Sequence, residues 1–222
     1  MQTFSSIYTR AVKRKGGEVE LEALLPKSKT PAQLRKLTDS DVLAEMTKCV
    51  FRSGFVWKII ENKWPGFELT FHGFDVTQCA MLSDEELEAA QANPEIVRHG
   101  KKILSVRRNA QYVMTVRETH GSYGRFLADW PEDDFVELWA DLKQSGDRLG
   151  GQTGRFFLRF VGRDTPMFSR DVVKALIAAK VVEKEPTSKK ALLATQDAFN
   201  EWRSQSGRSF AEISRILACS VP

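Results

Sequence analysis

The chain has 222 residues, 42% hydrophobic and 28% charged, and its 33 lysines and arginines against 29 aspartates and glutamates leave a net charge of +4. That balance is globular rather than disordered, and the length can bury a core as one large domain or two small lobes. Fourteen glycines and eight prolines exclude collagen-like and low-complexity classes, and no apolar run approaches the ~20 residues of a membrane span.

The periodicity reads as helix almost throughout. The first ~38 residues are the least regular, a Lys/Arg/Gly stretch running into Glu18 to Leu25. Ser40 can cap a helix from Asp41, with Leu43, Met46, Cys49 and Val50 on one face. Gly54 interrupts it, a helix restarts near Val56, and Pro65-Gly66 is expected to break the chain. Asp75 caps a short helix through Ala80, and Ser83 with Glu86 forms a capping box for a helix to Ala92. Lys101 to Glu118 is a long amphipathic helix with Ile103, Val106, Ala110 and Val113 along one face. Trp130-Pro131 is expected to open the next helix, with Glu132, Asp133 and Asp134 at its positive end. Ser145 to Gly151 is glycine-rich, and a helix resumes near Gln152. Ser169 caps a helix to Lys180, Thr187 or Ser188 caps one ending before Gly207, and Ser209 with Glu212 opens a final helix through Cys219. No convincing strand pattern and no internal repeat is present.

Three dispersed cysteines (Cys49, Cys79, Cys219) fit a reducing compartment rather than a disulfide framework. With three scattered histidines, no zinc-like spacing appears, so no metal is expected. The polar, basic Met1 to Gly17 has no apolar signal region, so a cytoplasmic protein without a membrane partner is expected.

Charge is segregated. Leu142 to Lys180 holds eight basic and three acidic residues, a net +5, and Glu95 to Arg108 holds five and one, a net +4. Asp129 to Asp141 holds six acidic residues and no basic ones. Solvated helix faces account for such runs, and so does a phosphate-contacting surface. The stretch from Leu142 to Arg155 adds Gly146, Gly150, Gly151 and Gly154 between two helices. Such a hairpin can bring backbone N–H groups and a helix N-terminus to a phosphate, with Lys143, Arg148, Arg155 and Arg159 supplying charge. A plain helix-turn-helix with a glycine cap explains the same glycines.

Four blocks together carry a resemblance. They are Gly54-Phe55-Val56-Trp57-Lys58-Ile59-Ile60, then Phe71-His72-Gly73-Phe74-Asp75, then Ile96-Val97-Arg98-His99-Gly100-Lys101-Lys102-Ile103 with Asn109-Ala110, and the hairpin with Phe160-Val161-Gly162. Over Asp39 to Leu176 the chain resembles the DNA-3-methyladenine glycosylase I family, within the helix-hairpin-helix DNA glycosylases. The resemblance implies an all-α, two-lobed helix-hairpin-helix fold, with residues 1–38 as an N-terminal segment and 39–222 as the glycosylase-like domain, its hairpin at 145–154. It implies a monomer acting on double-stranded DNA near the nucleoid, without a cofactor. Its activity would be to flip an alkylated purine of the 3-methyladenine type into an aromatic pocket and hydrolyse the N-glycosidic bond.

Trp57 falls on the family's stacking tryptophan, whose face attracts a cationic base. Cys49 stands where the family has a base-contacting glutamate, eight residues earlier, and a thiol is a weak hydrogen-bond partner. Phe51 and Tyr8 complete the candidate pocket, with Trp64 nearby. Ser169 stands where the wider superfamily has a catalytic aspartate, a residue the I family itself lacks. Asp171 and Asp164 are the neighbouring carboxylates, so the catalytic residue stays open. The family's zinc ligands are absent: the C-terminal positions read Asp171 and Ala175. The departures at Cys49 and Ser169 leave a non-catalytic DNA-binding module on the same scaffold as the alternative. A helical interaction protein docking through Asp129–Asp141 is a third reading.

Overall fold

Short polar residues set most helix starts, because their side chains satisfy N–H groups that a first turn leaves unpaired. In the computed structural model, which describes residues 1–222, fifteen α-helices follow one another and no strand occurs. They are α1 (Phe4–Lys15), α2 (Glu18–Glu22), α3 (Pro31–Leu34), α4 (Asp39–Arg52), α5 (Trp57–Asn62), α6 (Trp64–Thr70), α7 (Val76–Ala80) and α8 (Asp84–Ala92). After these come α9 (Gly100–His120), α10 (Tyr123–Asp129), α11 (Phe135–Ser145), α12 (Gln152–Val161), α13 (Arg170–Ala178), α14 (Lys189–Ser206) and α15 (Phe210–Cys219). The all-α expectation holds. The capping boxes at Ser83/Glu86 and Ser209/Glu212 are formed, and Asp75, Ser169 and Ser188 cap their helices as read.

Four expectations need correction. The first 38 residues carry three helices, because Phe4, Ile7 and Ala11 line a buried face at helical spacing. The cap of α4 is Thr38, in a capping box with Asp41, and Ser40 lies inside the helix. Pro65-Gly66 starts a helix instead of breaking one. Proline is tolerated in a first turn, and Gly66 lets α6 approach the Glu95 backbone, whose oxygen lies 2.5 Å from where a Cβ would sit. Trp130-Pro131 does not open α11. Trp130 ends α10, a helix the sequence reading did not anticipate, and Asp134 accepts from Glu137 N at the start of α11.

The chain divides into two compact units. The first comprises Met1–Lys29, Pro131–Leu138 and Asp164–Pro222. Here α1, α13 and α14 pack around α15, and Phe199, Trp202, Phe210 and Ile213 are fully buried. Trp202 Nε1 donates to Gln2 O, and Gln205 accepts from Phe4 N, so the N-terminus is anchored along α14.

The second unit comprises Thr30–Trp130 and Trp139–Arg163. Its centre is α4 and α9, with α7 and α12 packed on them. Phe51, Phe67, Phe71 and Phe74 form one aromatic cluster, and Tyr123 and Phe157 another. Buried Lys102 donates to the carbonyls of Phe51 and Ser53, tying α9 to the end of α4. No helix of the chain is long and apolar enough to cross a membrane.

Candidate nucleic-acid interface and base cleft

The hairpin between α11 and α12 belongs to the second unit and is built by close approach. Gly154, in the first turn of α12, sits so near the preceding loop that a Cβ would lie 2.1 Å from Leu149 O. Gly146 is similarly crowded by Leu142 O and the Leu149 side chain, while Gly150 faces only Lys143. Gly151 is different: no atom crowds it, but its φ of 61° with ψ of −135° is a backbone state L-residues avoid. Arg148 also has positive φ, at 64°. Buried Leu149 plugs the loop into the core.

Buried Asn109 of α9 clasps the hairpin from below. Its Oδ1 accepts from Asp147 N at 2.7 Å and its Nδ2 donates to Asp147 O at 3.1 Å. Arg148 Nε donates to Lys101 O, and Arg108 pairs with Asp147 at 3.2 Å. Lys143, Arg148, Gly151 and Gln152 face solvent. Arg155 is half-buried, its guanidinium 4.1 Å from the Trp139 ring centroid, and Arg159 is half-buried. The eight hairpin candidates are thus one local structure, with Lys143 and Arg148 as its exposed cations.

α12 carries the hairpin directly into an apolar cleft of about 110 Å³. Its lining is Cys49, Arg52, Ser53, Trp57, Gln152, Thr153, Phe156 and Phe160. Phe157, Leu158 and Val161 turn inward, which leaves Phe156 and Phe160 on the outer face at 36% and 43% exposure. Trp57, itself 43% exposed, meets both edge-on, with centroids 5.7 and 6.0 Å away. Gly54, at φ 78°, reverses the chain between α4 and α5 and returns Trp57 toward Arg52. The Arg52 guanidinium lies 5.0 Å from the Trp57 ring and 5.1 Å from Phe160.

Cys49 is buried one turn before Arg52, and its thiol donates to Glu45 at 3.5 Å. Burial, with the Glu45 carboxylate adding to it, pushes the thiol far above its ordinary range, so it stays protonated. The cleft therefore unites Trp57 and Cys49 as the sequence reading paired them. Phe51 is not part of it: it is fully buried, 4.6 Å edge-on to Phe67. Tyr8 belongs to the first unit, where its hydroxyl donates to Glu18 and Glu22 and Arg208 stacks on its ring. Trp64 is stacked on Phe67 and Phe74.

The two candidate carboxylates have structural partners. Asp164 accepts from the Phe210 and Ala211 N–H groups and from Ser28, so it caps α15. Asp171 sits in the first turn of α13 with Lys174 at 3.7 Å. No carboxylate is among the cleft-lining residues. The reading missed Arg52, Phe156 and Phe160. The two phenylalanines had a signal, a pair of large aromatics four residues apart on the outward face of an amphipathic helix.

A wider groove of about 640 Å³ runs along α9 and the end of α11, but its principal polar groups serve each other, Tyr112 donating to Asp141. No three His, Cys, Asp or Glu side chains gather where they could hold a metal ion.

The fold has solved counterparts. A structure of 3-methyladenine DNA glycosylase I matches with a TM-score of 0.51 at 17% identity, over 65% of this chain and 86% of that one. An 8-oxoguanine glycosylase/lyase from Methanocaldococcus jannaschii, solved with a 15mer DNA containing 8-oxoguanine, matches with a TM-score of 0.52 at 14% identity, over 96% of this chain and 95% of that one. No curated protein matches the sequence. The family model for methyladenine glycosylase matches residues 35–146, which include Cys49, Arg52, Trp57, Asn109 and the start of the hairpin. With half of its length under that match, the chain belongs to the methyladenine glycosylase family.

Proposed function

We propose that this protein is a DNA base-excision glycosylase that grips duplex DNA through its 145–154 hairpin and draws an alkylated purine, of which 3-methyladenine is the type, into the Trp57–Phe156–Phe160 cleft. One observation carries the reading. The helix whose N-terminus closes the hairpin is also the helix whose exposed phenylalanines wall the cleft, so backbone grip and base capture share one rigid element. Lys143, Arg148 and the N–H groups at Gly150 and Gly151 meet phosphates, which hold the duplex without reading its sequence. Gly146 and Gly154 shape the loop, and Arg155 and Arg159 add positive potential beside it.

In this reading Trp57 stacks the extruded base. Flipping costs a few kcal/mol and least for a damaged pair, so damage itself favours capture. A purine alkylated at ring N3 or N7 is cationic in DNA and leaves readily. Positioning in a water-poor aromatic cleft then supplies much of the acceleration, consistent with the absence of a lining carboxylate. Neither Asp164 nor Asp171 is required.

The test is release of free methylated bases from dimethyl-sulfate-treated DNA, separated chromatographically. Trp57→Ala should lower release about 10- to 100-fold, since one base–aromatic stack is worth about 1–3 kcal/mol. The protonated Cys49 favours the second reading, a non-catalytic DNA-binding module. It predicts salt-dependent duplex binding with no base released at high enzyme concentration.

A further inference from the structure

The base cleft is tight as it stands. At about 110 Å³ it falls well below the roughly 300–1,000 Å³ of sites that enclose small organic ligands, so a lining group must withdraw before a purine can lie on Trp57. What fills the place is Arg52. Its guanidinium lies 5.0 Å from the Trp57 ring centroid and 5.1 Å from that of Phe160, against the aromatic surface a stacked base needs. A guanidinium is a planar cation, and so is an alkylated purine of the type proposed above; an aromatic face attracts both by the same force. They cannot share it, because like charges at such spacing repel.

Arg52 is also the lining residue best able to leave, having the longest flexible stem among them. Its Nη2 donates to Glu61 and its Nη1 lies 3.6 Å from Glu45, while its Nε is buried without a hydrogen-bond partner. A buried donor without an acceptor is unfavourable, and rotation of the stem into water satisfies it. The way out is short. The side chain is already 13% exposed, and Glu61 beside it is 46% exposed, so the fork sits at the rim.

We infer that Arg52 is a displaceable occupant of the base slot: in the free protein its guanidinium stands over Trp57 in the place of the cationic base, and it swings out to solvent as the base enters. The inference rests on the reading that Trp57 stacks the base. The exchange is cation for cation, so Glu45 and Glu61 face a positive charge in both states. The occupied slot lowers the apparent affinity for any base by the fraction of molecules that are open. A base held in an intact pair then seldom enters, whereas one already loosened by damage does.

Wild type, Arg52→Ala and Glu61→Gln, each checked for folding by circular dichroism, are titrated calorimetrically with free 3-methyladenine and assayed for single-turnover release of 3-methyladenine from methylated DNA at saturating enzyme. Arg52→Ala clears the slot and should bind 3-methyladenine about 3- to 30-fold more tightly, the range of one cation–aromatic contact, with release faster by up to the same factor. Glu61→Gln keeps the guanidinium but loosens its anchor and should fall between; it carries the test should Arg52→Ala not fold. Methylguanidinium chloride should compete with 3-methyladenine for Arg52→Ala, beyond any effect of equal sodium chloride. In a Trp57→Ala background Arg52→Ala should bring no gain. A side chain that merely buttresses Trp57 gives the opposite sign, weaker binding and slower release in folded Arg52→Ala. That result, unchanged binding, or a gain that persists without Trp57 overturns the inference. If wild type releases base but Arg52→Ala shows no gain, the inference falls and the glycosylase reading stands. If no variant releases base yet Arg52→Ala binds 3-methyladenine more tightly, the glycosylase reading falls and the displacement stands.

Discussion

Replacing Gly154 by alanine places a methyl carbon 2.1 Å from Leu149 O, 3.2 Å from the same carbonyl carbon and 3.3 Å from Leu142 Cδ1. Even weak C–H···O contacts stay near 3.3–3.6 Å, so the carbonyl must retreat by about 1 Å. The obstructing atom is backbone, and Leu149 is held in the core, so no side-chain rotation can relieve the contact. Overpacking of this kind costs about 1–3 kcal/mol, and this overlap belongs at the upper end. Removing a glycine from a helix returns up to about 1 kcal/mol, which leaves a net loss of about 2 kcal/mol. Gly150→Ala is the control, because it meets only the flexible Lys143 stem at 3.2 Å and should stay within about 0.5 kcal/mol of wild type. Denaturant unfolding followed by far-UV circular dichroism reads both variants, and duplex affinity should fall with Gly154→Ala alone. If Gly154→Ala unfolds at the wild-type midpoint, or the two variants lose equally, the close-approach account of the hairpin is wrong.

Three further outcomes follow from the geometry. Cys49→Glu installs an acceptor at the cleft beside Arg52 and should raise 3-methyladenine release relative to methylguanine; unchanged product ratios would show that position 49 does not reach the base. Lys143→Ala and Arg148→Ala should each reduce the slope of log affinity against log salt by about 1, in gel shifts at ~50 to ~200 mM salt, whereas Lys174→Ala on α13 serves as an off-hairpin comparison. Lys102 is lowered to about 8, chiefly by burial and secondly by the nearby Arg148 charge. The unfolded chain, near 10.5, therefore binds this proton more tightly from pH 8 upward, and stability from this group rises with pH across that window. The stability difference between wild type and Lys102→Met should shift in favour of wild type between pH 8 and pH 10 in urea titrations; a flat or opposite trend refutes it.

The glutamate expected of the family is replaced by a neutral thiol, yet the position keeps its place at the cleft. Cys49, Arg52 and Glu45 lie on one stripe of α4 at helical spacing, so a change at one position alters the chemistry of the next. The thiol donates a hydrogen bond to Glu45, Glu45 faces Arg52, and Arg52 lies over Trp57. A departure at one site therefore alters the chemistry lining the cleft without dismantling it.

The features legible in the sequence are those governed by neighbours along the chain. Capping residues bond N–H groups two or three positions away, and glycines in the hairpin answer to local backbone geometry. The helix starts after Asp75, Ser83, Ser169, Ser188 and Ser209 were therefore readable, as was the hairpin at 145–154. What a side chain does once its helix exists depends on distant partners. Helical spacing puts Phe156 on the outward face of α12, but only packing shows that it walls the cleft while Phe51 is lost in the core against Phe67. Asp164 is spent on the N-terminus of α15 some 46 residues later. Arg52 read as one more basic residue at a helix end, and only tertiary packing placed its guanidinium against the Trp57 and Phe160 rings with its Nε unpaired. Local hydrogen bonding thus decided where helices begin and where the chain turns, while burial and long-range contact decided which residues make the site.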